Sequence, residues 1–504
     1  MNSRAGVSLS LSRRRFADTP ERLERNDRAP VARPSLALAR ASTTRSRVSV
    51  SRPARSLAAR ARSVASHADA SVVDSAPSRA TMRARGIVLA LGGAREFGDA
   101  LLEDGVASRF ALECGARPLV YHALRAIARA SRYACEKITV VCEGDAHAAI
   151  VRECASAWAL EWGTTPTIEV TAVDEGAGGG DALAAATRDD EAAEMKDTAL
   201  IVVNGDVVMD VDVDDVVSAH FVREATATCV LAKRRAWGEV ERKAGRAPKG
   251  MRYVGLSADE GTVAFLSGGK EDEAKKRLKL HRSALNNNGE MVIRTDLTDV
   301  GAYVLDGAET LRALRETPHL KSVRLDLVPH FVEEQFRGTT KGGVAAYIVK
   351  DDKYCVAVDS AKPALLETSK DIASEFHHLN EKPLSKYDNV VDPSVEIGAK
   401  STIGPGCAVA ARCAFKDKCS VKKSVIAAEC QFGSAVKISN SLILRGAVVH
   451  DGAHIQGCIV GPGAVIGSRV VAKDSVIGAG YEVDEEDDVD GETLARNRVD
   501  VASA

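Results

Sequence analysis

From Val391 onward the chain repeats itself. Ile397, Ile403, Val409, Phe415 and Val421 recur every six residues, with small and Gly-rich residues between them. Beyond Val421 the step becomes six, six, five, so that Ile426, Ile443, Val460 and Ile477 stand seventeen residues apart. A fixed short period means a solenoid, in which each coil buries its apolar face only against its neighbours. Three hexads per coil predict a triangular parallel β-helix with one apolar side chain per flat side pointing inward. The repeat reads over 391–482, and an acidic tail is expected over 483–504.

Two chemistries are conceivable on such a solenoid. Cys407, Cys413 and Cys419 are six apart, but zinc sites rarely use that spacing, and the repeat puts the three on different sides. Packed, reduced thiols are the expectation. Some β-helices carry an acyltransferase site with a histidine between coils; here His450 and His454 are the candidates, against a reading as ordinary surface histidines.

Residues 82–360 have a different texture. Apolar runs at 87–91, 138–142, 168–173 and 199–203 predict buried parallel strands, and helical stretches at 117–130 and 147–158 separate them. This alternation argues a doubly wound, Rossmann-like α/β domain. Ligands bind such sheets beyond the carboxyl ends of the strands. The stretches "GGAR" (92–95), "DEGAGGG" and "VNGDVVMD" fall there. A basic stretch at 232–250 reads as an exposed loop, and 361–390 as a linker with a helix.

Charge is unevenly spread. Residues 1–81 hold sixteen arginines, no lysine and six acids, about +10, which leaves about −12 for the rest. Nothing in that balance asks for nucleic acid. No apolar run is long enough to span a bilayer, so a soluble chain is expected. The Arg/Ser/Ala-rich extension is expected to be disordered. It resembles an organellar transit peptide, yet Asp18, Glu21, Glu24 and Asp27 crowd into ten residues and Met82 stands just before the first strand. A translated upstream stretch is the other reading, and it implies a cytoplasmic rather than a plastid protein.

Nucleotidyl transfer needs a glycine loop around phosphates, carboxylates for Mg²⁺, and a cationic residue to orient the sugar phosphate or steady the transferred group. Gly92, Gly93 and Arg95 supply a candidate loop. Gly178 opens a second one before a helix near Asp181, which reads either as a nucleotide contact or as a helix N-cap. Asp206 and Asp299 are the candidate metal carboxylates, or mere strand-end caps.

An α/β domain followed by a hexapeptide β-helix resembles the sugar-nucleotide pyrophosphorylase superfamily. Within it, "SVRLDLVPHFVEEQF" (322–336), "TDLTDVGAYVL" (295–305), "MRYVGLSADEGTVAFL" (251–266) and "HDGAHIQGCIVGPGAVI" (450–466) look like the gamma subunits of eukaryotic translation initiation factor 2B. The resemblance covers about 87–480. It implies a nucleotidyltransferase-like domain and a left-handed β-helix, with no catalytic residue and no cofactor.

The resemblance further implies pairing with an epsilon subunit, assembly with alpha, beta and delta subunits, and contact with initiation factor 2 as substrate. No helical domain of the epsilon type is expected after the repeat, which favours a gamma-type over an epsilon-type chain. Active pyrophosphorylases carry G-x-G-[ST]-R-[LM] and then P-K-P-[LM]. Here the first loop is one residue short and lacks its hydroxyl, and Ser108, Arg109 and Phe110 stand where Pro, Lys and Pro are expected. Arginine is not a geometric substitute for lysine. The pocket formed by Gly92, Gly93, Arg95, Gly178 and Asp181, with Asp206 and Asp299, is therefore read as vestigial. The rival expectation is an active pyrophosphorylase.

Overall fold

The computed structural model describes residues 82–495 apart from 93–98, 103–107, 163–165, 189, 191–194, 236–252, 268–290 and 341. The extension 1–81, Gly93, Arg95 and most of the basic 232–250 stretch lie outside the described residues.

The α/β domain is built on strands β1 (Arg83–Ala90), β2 (Lys137–Glu143), β3 (Thr167–Val173), β4 (Thr198–Asn204), β5 (Ala227–Lys233), β6 (Leu297–Asp306) and β7 (Val344–Ile348). Among the described residues these form one sheet in the order β7-β5-β6-β4-β1-β2-β3. β1 runs parallel to both β2 and β4, while β6 is antiparallel to its two neighbours. The central strands are apolar on both faces, as strands covered on both sides must be. Along β1, Val88 and Ala90 pack with helices α1 (Leu119–Ala128), α2 (Gly144–Trp162) and α4 (Val213–Val222). Ile87 and Leu89 point the other way, toward α3 (Gly179–Ala186), α5 (Gly307–Glu316) and α6 (Val328–Arg337). The 168–173 run is not the buried strand its composition suggests. It is the sheet edge, where Thr167 and Glu169 reach solvent and Glu169 pairs with Lys137 of β2.

Helix α7 (Leu366–Ala373) leads from this domain into a left-handed parallel β-helix. Three parallel sheets rise side by side, and Ala408, Val425, Leu442, Ile459 and Val476 lie in register on successive coils of one of them. Inward-facing Phe415 and Phe432 stack with ring centroids 4.5 Å apart and planes 6° from parallel. The five-residue step is explained at one corner, where Ser424, Ser441, Cys458 and Ser475 occupy successive levels. The Ser441 N–H donates to Ser424 Oγ at 3.1 Å and the Cys458 N–H to Ser441 Oγ at 3.2 Å, so a side-chain ladder replaces a residue of the turn.

The acidic segment expected to be a tail is instead more coil. Glu482–Val483, Asp488–Asp490 and Thr493–Leu494 add one strand to each sheet, with Val483 and Val489 buried and the acids outside. The hexad positions persist there, and the dense charge on the outward positions disguises them. Cys407, Cys413 and Cys419 each precede a strand of a different sheet, all buried. His450 and His454 are exposed on the outside of the coils.

One side of the prism is apolar outside as well as inside. Ala408, Val425, Leu442 and Ile459 form a buried cluster with Leu101, Leu112, Leu365 and Ile372, which fixes the α/β domain against the β-helix. Polar contacts frame this contact. Lys362 Nζ donates to the Gly457 and Asp474 carbonyls at 3.1 and 2.6 Å, and the Ala479 N–H donates to the Ala100 carbonyl at 2.7 Å. Glu113 meets Arg445 at 3.2 Å; burial pushes its carboxyl above the ordinary range, against the lowering pull of that guanidinium.

Leu442→Asp is expected to loosen this contact, because it puts a charge into an apolar layer. Limited proteolysis should then cleave in the 380–390 region, while Val448→Asp, on a half-exposed row of another sheet, leaves the pattern unchanged.

Two buried histidines contribute to the acid sensitivity of the fold. His122 on α1 donates from Nε2 to the Cys114 carbonyl at 3.0 Å, and His220 on α4 meets Thr228 Oγ1 at 3.0 Å. Burial pushes both down to about 4 from the ordinary 6.5. The unfolded chain therefore takes up protons first. Their contribution is complete above pH 6.5 and lost as pH falls toward 4, by up to roughly 3 kcal/mol per histidine. Melting curves should show a midpoint that is flat above pH 7 and falls below 6.5, with a shallower fall in His220→Gln. An unchanged slope in that variant would refute the assignment.

Candidate functional site

The carboxyl ends of β1, β2, β3 and β4 converge on the expected cleft. After β1, Gly92 adopts φ +97°, and a Cβ there would sit 3.3 Å from the Arg109 guanidinium. Arg109 lies in a short 3-10 turn, Arg109–Ala111, and is buried. Its Nη2 donates to the Leu91 carbonyl at 3.0 Å and approaches Asp206 Oδ2 at 3.3 Å, while its Cζ lies 4.7 Å from the Phe110 ring centroid. Phe110 packs so tightly on the turn before Asp206 that a Cβ on Gly205 would come within 2.9 Å of the ring. The sequence pairs these residues only by analogy; the fold brings them together across 97 positions.

The other candidate carboxylate is committed elsewhere. Asp299 does not precede its strand but lies inside β6 and is buried. Its Oδ2 accepts from the Tyr303 hydroxyl at 2.6 Å, its Oδ1 from the Gly301 N–H at 2.9 Å, and Arg324 stands 3.6 Å away. Burial, and then the nearby Asp299 charge, pushes the Tyr303 phenol well above its usual value, so it remains a donor. Asp206 faces Arg109, while Asp299 bonds within its own strand and lies near Arg324. Among the described residues no group of three or more His, Cys, Asp or Glu side chains is arranged to hold a metal ion.

The second glycine loop is mostly a packing device. A Cβ on Gly178 would sit 2.1 Å from the Lys321 carbonyl oxygen and one on Gly180 1.7 Å from that of Leu320. Only glycine lets the start of α3 approach that backbone so closely. The helix begins at Gly179 with Gly178 as its cap. Asp181 is therefore not the N-cap; it is the third helical residue, and its Oδ2 accepts from the Gly178 N–H at 2.9 Å. Beside it lies a cleft of about 430 Å³ lined by Asp174, Glu175, Gly176, Asp181, Arg188 and Lys321.

Sequence reasoning missed Glu143, the last residue of β2. Its Oε1 accepts from the Gly176 N–H at 2.6 Å and its Oε2 from the Gly92 N–H at 3.1 Å. The signal was a carboxylate ending a strand and followed by Gly144, which adopts φ +73°.

Residues 387–489 match the family model described as the EIF2B subunit epsilon LbH domain. The match supports a left-handed β-helix protein like the epsilon and gamma subunits of initiation factor 2B, over a segment that includes Arg445 and the Ala408–Ile459 row. No curated protein matches the chain.

A double-mutant cycle tests the Arg109–Asp206 pair. Asp206→Ala should cost about 3 kcal/mol in urea unfolding, because it leaves a guanidinium buried with less compensation. Adding Arg109→Met should recover at least about 0.5 kcal/mol of that loss relative to additivity; additive effects would show that the pair is not coupled.

Proposed function

We propose that this chain is a non-catalytic subunit of the translation initiation factor 2B guanine-nucleotide exchange complex. The observation that carries the reading against an active enzyme is the Arg109–Asp206 contact: the carboxylate that would hold Mg²⁺ faces a buried guanidinium at 3.3 Å. A divalent cation at Asp206 would sit beside that fixed positive charge and be repelled by it, and Asp299 is likewise hydrogen-bonded within the domain. The β-helix match supports the factor. The choice of a gamma-type subunit rests on the sequence segments 251–266, 295–305, 322–336 and 450–466.

In this role the chain pairs with the epsilon subunit, joins the alpha, beta and delta subunits, and helps present initiation factor 2 in its GDP-bound form. It acts in the cytoplasm and uses no cofactor. The two sides of the prism not covered by the α/β domain keep mixed rows at the surface, including Glu396, Gln431 and Lys437. Preformed surfaces of that kind bind with little ordering cost. Exchange chemistry then belongs to the partner.

Tagged full-length chain purified from its own cell extract should bring down an epsilon-like chain in stoichiometric amount, identified by mass spectrometry. It should release no pyrophosphate from nucleoside triphosphates plus sugar 1-phosphates. Turnover at ordinary enzymatic rates of 1 s⁻¹ or more, on the order of typical values, together with recovery only of itself, would replace this reading with a sugar-nucleotide pyrophosphorylase.

A further inference from the structure

One carboxylate serves two loops at the mouth of the cleft. In the sheet, β2 lies between β1 and β3, so the loops that follow β1 and β3 flank the residue that ends β2. That residue is Glu143. Its two oxygens take the Gly92 and Gly176 N–H groups at 3.1 and 2.6 Å. Both glycines have positive φ, +97° and +83°, a conformation that turns their amides away from the strand direction and toward the carboxylate. Backbone amides turned inward in this way form a nest for an anion, and the anion here belongs to the chain itself.

We propose that Glu143 is a built-in anion that closes the two loop amides against phosphate-bearing ligands. A carboxylate and a phosphate offer a similar pair of acceptor oxygens, so the two compete for the same donors. Glu143 has the advantage of its tether, because a tethered group acts at an effective concentration of millimolar order or above. The surroundings act in the same direction. Asp174, Glu175 and Asp181 line the adjoining cleft and repel a second anion, while Arg188 and Lys321 offset only part of that charge. The plug stands on this geometry alone and does not depend on the exchange-factor role.

The test uses the full-length chain as wild type, Glu143→Ala and Glu143→Gln. Inorganic pyrophosphate is titrated by calorimetry, and hydrogen exchange is followed by mass spectrometry in peptides covering Gly92 and Gly176. Glu143→Ala is expected to bind pyrophosphate at least tenfold more tightly than wild type, with Glu143→Gln in between. Without ligand, both peptides should exchange faster in Glu143→Ala, and pyrophosphate should restore their protection. Equal affinity of wild type and Glu143→Ala, or binding by neither variant with native circular dichroism, overturns the proposal. Unchanged exchange overturns the contact itself. Recovery of an epsilon-like partner is expected to be the same for all three proteins, so failure here is distinct from failure of the exchange-factor reading.

Discussion

The contact that organises the described structure is the apolar row on the outside of one β-helix sheet. A solenoid needs apolar residues only inside, and an outward row of Ala408, Val425, Leu442 and Ile459 makes sense only when something covers it. The covering layer comes from the α/β domain and from α7. At roughly 25 cal/mol per Å² of buried apolar surface, even a row of four such side chains contributes several kcal/mol. It holds in place the segments that border the cleft, since Leu101 and Leu112 belong to the same cluster and Ala100 is hydrogen-bonded to Ala479. The solenoid is thus a buttress for the loop region of its neighbour as well as a surface of its own.

Within the cleft, charge is compensated internally. Arg109 faces Asp206, Arg324 approaches Asp299, and Glu143 holds the two loop amides. Catalysis works by the opposite arrangement, in which donors and charges are held in readiness for a group that appears only in the transition state. A site whose groups already satisfy one another is suited to rigidity. That property agrees with the non-catalytic role proposed above.

The fold was legible in the sequence where periodicity carried it. The step of six, six, five located the coils, and the paired apolar faces of 87–91, 138–142 and 199–203 located the central strands. Composition misled at both margins. The 168–173 run looked like a core strand, because apolar residues alone do not tell a central position from an edge. The 483–494 segment looked like a tail, because acids on the outward positions hid Val483 and Val489 on the inward ones.

The site was legible as a set of residue types and not as a set of contacts. Gly92, Gly178, Asp181, Asp206 and Asp299 were all found by their place at strand ends or loops, yet what each does depends on partners remote in sequence. Lys321 explains Gly178, Tyr303 explains Asp299, and Arg109 explains Asp206. Glu143 shows why: a strand-ending glutamate before a glycine is a weak local signal, and its role appears only when β2 is placed between β1 and β3. Strand order is the step at which a list of candidate residues becomes a statement about chemistry. The order found here puts the Glu143 carboxylate between the Gly92 and Gly176 amides.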